Sequence, residues 1–82
     1  MVQVHVTFFA QSRDLAGCAG TAESISPGMT IHDLMERLLV RFPKLASLQS
    51  SLRVAVGVDY QNGDYLLRDG DEVAILPPMQ GG

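Results

Sequence analysis

The chain has 82 residues, 46% of them hydrophobic and 18% charged, which is one domain's worth of globular sequence rather than a disordered segment. Its formal net charge is −3, with Lys44 as the single lysine and five arginines. No basic cluster could neutralise a row of phosphates, so nucleic acid is not an expected partner. Cys18 is the only cysteine, which excludes an internal disulfide and a cysteine-rich metal site. No apolar run is long enough to span a bilayer, and the N-terminus lacks the pattern of a signal peptide. The expected location is therefore cytoplasmic.

In chain order, Val2, Val4, Val6 and Phe8 alternate with Gln3, His5, Thr7 and Phe9, the period of a strand with a valine-rich core face. Gln11 to Ala16 can form a short helical turn closed by Gly17. Thr21 to Ser26 reads as a more polar second strand, ended by Pro27-Gly28. Ile31, Leu34, Met35, Leu38, Leu39 and Phe42 fall on one stripe of a helix, predicted over about residues 30–42. Thr30 is a good N-cap, Asp33 suits the positive end of the helix dipole, and Met29 with Leu34 can staple the entry. Pro43 stops the helix.

Leu45 to Ser51 reads as an irregular link. Val54, Val56 and Val58 alternate with Arg53, Ala55 and Gly57, predicting a third strand. Asn62-Gly63 is the strongest turn signal in this region, and Tyr65-Leu66-Leu67 could add a short strand. After Asp69-Gly70-Asp71, another turn, Glu72 to Leu76 forms the last strand, ended by Pro77-Pro78. The pattern predicts an α+β domain over 1–77: a mixed sheet of about four to five strands with one main helix on one face. Residues 78–82 form a separate tail.

With the helix on one face, the other would carry His5, Thr7, Phe9, Ala55, Gly57, Ala74 and Leu76. Antiparallel sheets usually turn a polar face to water, so this small and apolar set predicts a docking surface. The alternative is that a loop, or Tyr60 and Tyr65, covers it.

The tail, Pro78-Met79-Gln80-Gly81-Gly82, carries the chemistry. Five residues beyond Pro77 reach at most about 15–18 Å. The prolines stiffen the exit, and glycines without Cβ atoms can enter a narrow channel. A terminal carboxylate is inert until its oxygen becomes a good leaving group. Adenylation by ATP achieves this, and attack by a sulfur nucleophile then leaves a thiocarboxylate. Taken alone a terminal Gly-Gly is a weak signal; following a strand-closing Pro-Pro it is stronger.

Phe8-Phe9-Ala10, Arg13-Asp14-Leu15-Ala16-Gly17, Leu67 with Asp69-Gly70-Asp71-Glu72-Val73-Ala74, Pro77-Pro78 and Gly81-Gly82 together resemble the small subunit of molybdopterin synthase, over nearly the whole chain. The resemblance implies a ubiquitin-like β-grasp fold and a sulfur carrier that is not an enzyme by itself. It implies that Gly82, with Gly81 giving access, is adenylated by a partner akin to ubiquitin-activating enzymes. The thiocarboxylate, supplied by a donor such as a cysteine desulfurase or rhodanese-like protein, would then enter the large synthase subunit of a heterotetramer. Sulfur passes there to cyclic pyranopterin monophosphate, forming the dithiolene of molybdopterin for molybdenum cofactor biosynthesis. No stably bound cofactor and no metal is implied.

The docking residues implied by the face and the resemblance are Phe9, Tyr60, Leu76, Pro77, Pro78, Met79 and Gln80. Met79-Gln80 and Gly57 depart from the family's usual residues, which leaves the pathway open. Three alternatives compete: a carrier for thiamin thiazole synthesis or tRNA thiolation, a ubiquitin-like modifier, and an inert β-grasp interaction domain.

Other candidates carry less. Cys18 has no second thiol or basic neighbour and reads as incidental. His5 and His32 lack metal-ligand spacing. Asp69 and Asp71 lack the other ligands of a calcium loop and read as a turn, though with Glu72 they could form an acidic patch beside the tail.

Overall fold

The computed structural model describes residues 2–48 and 51–77. The elements are β1 (Val2–Phe8), α1 (Gln11–Ala16), β2 (Gly20–Ile25), α2 (Ile31–Arg41), a 3-10 helix (Pro43–Leu48), β3 (Arg53–Val56), β4 (Asp59–Tyr60) and β5 (Glu72–Leu76). The five strands form one mixed sheet in the order β2-β1-β5-β3-β4. β1 and β5 lie side by side in parallel, and every other pairing is antiparallel. This is the predicted ubiquitin-like arrangement, with the first and last strands at its centre.

The alternation read in β1 is realised without a slip. Val4, Val6 and Phe8 are buried while Gln3, His5 and Thr7 are exposed. Val54, Val73 and Ile75 join them on the covered face, and α2 supplies Ile31, Leu34 and Leu38 from its apolar stripe. Leu45, on the 3-10 helix, is fully buried beneath the same core. Phe42 meets Phe8 edge to face with ring centroids 5.4 Å apart, and the Arg41 guanidinium lies 5.1 Å from the Phe42 centroid. Arg41 also pairs with the buried carboxylate of Glu23, which is why a glutamate can sit at an inward position of β2.

α2 begins where its capping chemistry placed it. The Asp33 N–H donates to the Thr30 hydroxyl at 3.3 Å and the Thr30 N–H to the Asp33 carboxylate at 3.0 Å, a reciprocal box. The Thr30 N–H and, at 3.1 Å, the Thr30 hydroxyl both donate to the Asp33 carboxylate and hold it below its ordinary value, because both bonds favour its charged form. The segment after β4 completes the helix start. Ile31 N–H donates to the Tyr65 carbonyl at 3.0 Å and His32 N–H to the Gly63 carbonyl at 2.9 Å, satisfying donors that a helix leaves orphaned.

Two sequence readings are corrected around β3. The strand stops at Val56, and the chain reverses through Gly57-Val58 so that Val56 faces Asp59 and Ala55 faces Tyr60. Val58, expected to continue the strand's alternation, lies in this turn and is 96% exposed. Gly57 takes the positive φ of 64° that a two-residue hairpin with glycine at its first central position needs. Asn62-Gly63 does form a turn, closed by Tyr65 N–H on the Asn62 carbonyl at 3.1 Å, but it leads to α2 rather than joining two strands. Tyr65-Leu66-Leu67 makes only the single bridge Thr30–Leu66, since that backbone is committed to capping the helix.

Candidate functional site

The face of the sheet away from α2 is open along its length, and no described residue forms a lid over it. Cross-strand partners share a face, so the registers assemble a row of Gly20, Thr7, Ala74, Ala55 and Tyr60 from one edge of the sheet to the other. One step towards the end of β5, Leu76 stands opposite Arg53. Phe9 lies beside it, its N–H donating to the Ile75 carbonyl at 3.2 Å. Phe9 is 45% and Tyr60 63% exposed, while Leu76 and Pro77 are half-buried. Thr7, Phe9, Gly57, Glu72, Val73 and Ala74 line a depression of about 210 Å³. That is below the usual range for a small-molecule site, roughly 300–1,000 Å³, and suits one side chain of a docking protein better than a cofactor.

Of the predicted docking residues, Phe9, Tyr60 and Leu76 lie on this open face. Phe9 and Leu76 stand where β5 ends, with Pro77 the next residue along the chain. Tyr60 lies on the same face two strands over and two residues down, roughly 12 Å away by strand geometry. Tyr65, which could have covered the face, instead donates its hydroxyl to Asp71 at 3.2 Å. Pro78, Met79, Gln80, Gly81 and Gly82 lie outside the described residues.

One residue at the root of the tail escaped the sequence reading. Ser12, in α1, is fully buried. Its hydroxyl sits 2.6 Å from the Phe9 carbonyl oxygen and 2.9 Å from that of Ile75, with its proton towards these acceptors, and takes the Phe9 N–H at 3.1 Å. It therefore ties the β1–α1 corner to the last core residue before the tail. Ala10, which makes that corner, has φ 51° and ψ −125°, a conformation costing of order 1–3 kcal/mol in a residue with a side chain. A lone serine in a polar six-residue helix carries no periodic signal, so only the tertiary contact reveals it.

The acidic residues expected to form a patch beside the tail do not stand at its root. Asp69, Asp71 and Glu72 stand at the start of β5, about 13 Å of strand from Leu76. Their work is local: Asp69 accepts the Gln3 N–H at 2.9 Å, Asp71 accepts the Arg68 N–H at 2.9 Å, and Glu72 lies 3.1 Å from His5 Nδ1. Desolvation, then the Asp71 charge, raises the Tyr65 hydroxyl above its ordinary value. Cys18 is half-buried against the core, and the described residues contain no cluster of His, Cys, Asp and Glu able to hold a metal. No helix among them is long and apolar enough to cross a membrane.

The fold has clear counterparts. The ThiS family profile matches residues 6–82. The chain belongs to the ThiS family. Within it, the molybdopterin synthase sulfur carrier subunit of Drosophila ananassae is 38% identical, over all of this chain and 93% of its own length. That of Chlamydomonas reinhardtii is 34% identical, over 99% of this chain and all of its own length. Among solved structures, a Pyrococcus furiosus protein assigned as molybdopterin converting factor subunit 1 superposes with a TM-score of 0.87 at 30% identity, over 96% of this chain and all of the other. A Helicobacter pylori complex of subunits 1 and 2 of molybdopterin-converting factor contains the same fold, with a TM-score of 0.72 at 22% identity over 99% of this chain and all of the other.

Proposed function

We propose that this ThiS-family chain is the sulfur carrier subunit of molybdopterin synthase, a non-catalytic partner whose working group is the Gly82 carboxylate. Full-length identity to molybdopterin synthase sulfur carrier subunits is the observation that carries this reading. In the proposed cycle an adenylating enzyme joins the Gly82 carboxylate to AMP from ATP, releasing pyrophosphate. A sulfide equivalent attacks the acyl carbon, AMP leaves with the bonding pair, and the tail ends in a thiocarboxylate. The large synthase subunit then receives the tail, and sulfur passes to cyclic pyranopterin monophosphate in two successive rounds.

The chain's own contribution is delivery. β5 is clamped between β1 and β3, so the exit point of the tail is held by hydrogen bonds on both sides. Ser12 fixes the last of them. The open face beside it supplies an apolar footing in Phe9 and Leu76.

The test is intact-mass spectrometry after incubation with ATP, a sulfur source and the host's adenylating enzyme. The expected result is a gain equal to replacement of one oxygen by sulfur, localised to Gly82 and absent when Gly82 is deleted. No gain, with that enzyme active on another carrier, would overturn the reading.

A further inference from the structure

The sheet is electrically polarised along β5, in a way the net charge hides. Near its start lie Asp69, Asp71 and Glu72, Asp59, whose partner Val56 faces Val73, and Asp64, next to Tyr65 whose hydroxyl meets Asp71, with Arg68 the one arginine or lysine between residues 59 and 72. At its end the sign reverses. Arg53 stands opposite Leu76 on the open face, and it is exposed. Arg13 is exposed on α1, one residue beyond the Ser12 hydroxyl that touches Ile75. Lys44 is exposed on the 3-10 helix, which packs against α1. Asp14 is the only acidic residue in α1 or that 3-10 helix. The salt bridges among the described residues are His5–Glu72, His32–Glu36 and Arg41–Glu23, so none of these three cations is engaged in one.

The two ends are about 13 Å apart along the strand, further than the Debye length of about 8 Å at physiological salt. A partner at the root of the tail therefore meets positive charge, although the formal net charge is −3. The tail can carry Gly82 at most about 15–18 Å beyond Pro77. A surface that meets the root is thus screened from the site where Gly82 acts, and the two can differ in sign.

We propose that Arg13, Lys44 and Arg53 form a cationic rim around the root of the tail that docks on an acidic surface, bearing Asp and Glu carboxylates, around the tail entrance of the large synthase subunit. This rests on the function proposed above. A protein surface fits better than a polyanion. Arg53 borders the apolar pair Phe9 and Leu76, and three cations provide little of the counterion release that drives nucleic-acid binding. Two of the three are arginines, whose forked guanidinium matches a carboxylate with two hydrogen bonds.

The test is a titration of the full chain against the large subunit from the same host, at about 0.05 M and about 0.3 M salt. Wild type should bind more weakly at the higher salt. The Arg13→Glu/Arg53→Glu pair should lose about tenfold in affinity at the lower salt, mostly through a slower association rate, and lose the salt dependence. Asp64→Lys, at the other end, should change affinity less than about twofold. A thermal melt confirms folding, and Arg13→Gln/Arg53→Gln, expected to lose a smaller part of the affinity, replaces the reversal pair if that pair does not fold. Wild-type affinity independent of salt, a double variant that binds like wild type, or an equal response to Asp64→Lys would each overturn the rim. Wild type that does not bind the large subunit at all would instead overturn the functional reading beneath it.

Discussion

The covered and open faces of the sheet are made by alternate residues of the same strands, yet they are built to opposite ends. On the covered face Val4, Val6, Phe8, Val73 and Ile75 are no more than 1% exposed, in one core cluster with Ile31, Leu34 and Leu38 of α2 and Leu45 of the 3-10 helix. On the open face the central row is glycine, threonine, two alanines and a tyrosine, with larger apolar groups only at Phe9 and Leu76. The first face maximises burial within the chain. The second forgoes it, leaving a flat surface that a second protein can approach closely. In a domain this small, where folding hides only about 60% of the unfolded surface, such an unburied face reads as function rather than stability.

This contrast can be broken most severely from the covered side. Phe8→Ala should cost about 3–5 kcal/mol and lower Tm by about 12 °C or more, seen in denaturant and thermal unfolding. A loss under about 1 kcal/mol would mean that the Phe8–Phe42 contact is not part of the core.

Leu76→Glu tests the open side and should separate binding from folding. Affinity for the large subunit is expected to fall at least about 30-fold while Tm stays within a few degrees of wild type. Unchanged affinity would remove Leu76 from the docking face.

Ser12 lies between the two regimes, because its hydroxyl is buried yet serves the tail's root. Ser12→Ala should cost about 1–2 kcal/mol, since the Phe9 and Ile75 carbonyls keep backbone donors at 3.1 and 3.2 Å. Faster amide exchange at Phe9, measured at a temperature where both proteins are folded, would show that the corner has loosened. Protection equal to wild type would assign Ser12 to packing alone.

The smallest effect belongs to the helix start. Thr30→Ala should cost about 1 kcal/mol at neutral pH. The Asp33 carboxyl is lowered by its bonds to Thr30, so its contribution is present above the unfolded value of 3.8. It is lost as pH falls through the lower folded value. The stability gap between wild type and Thr30→Ala should therefore shrink in acid. A gap that stayed constant down to low pH would show that the carboxylate takes no part.

How much of this was legible follows from how local each signal is. Period-two alternation in β1 and β5, the apolar stripe from Ile31 to Phe42 and the Thr30 cap are set by neighbours within a few residues, and all three are present as read. The hairpin at Gly57-Val58 was obscured because Asn62-Gly63 is the stronger local turn signal. The choice between them was made by the pairing of β3 with β5, which ends the strand at Val56. The acidic residues around Asp69 are near the tail in sequence, but an intervening extended strand carries them to the opposite end.

By itself, then, the sequence determined the two central strands, the main helix and the covered core, because periodicity and capping act over one or two turns of chain. Tertiary structure alone decided that Arg53 faces Leu76, that Ser12 reaches the Ile75 carbonyl, and that positive charge gathers where the tail leaves. Each of these depends on strand register or on packing between segments distant in sequence, and no local pattern encodes which residue will stand opposite another across a sheet.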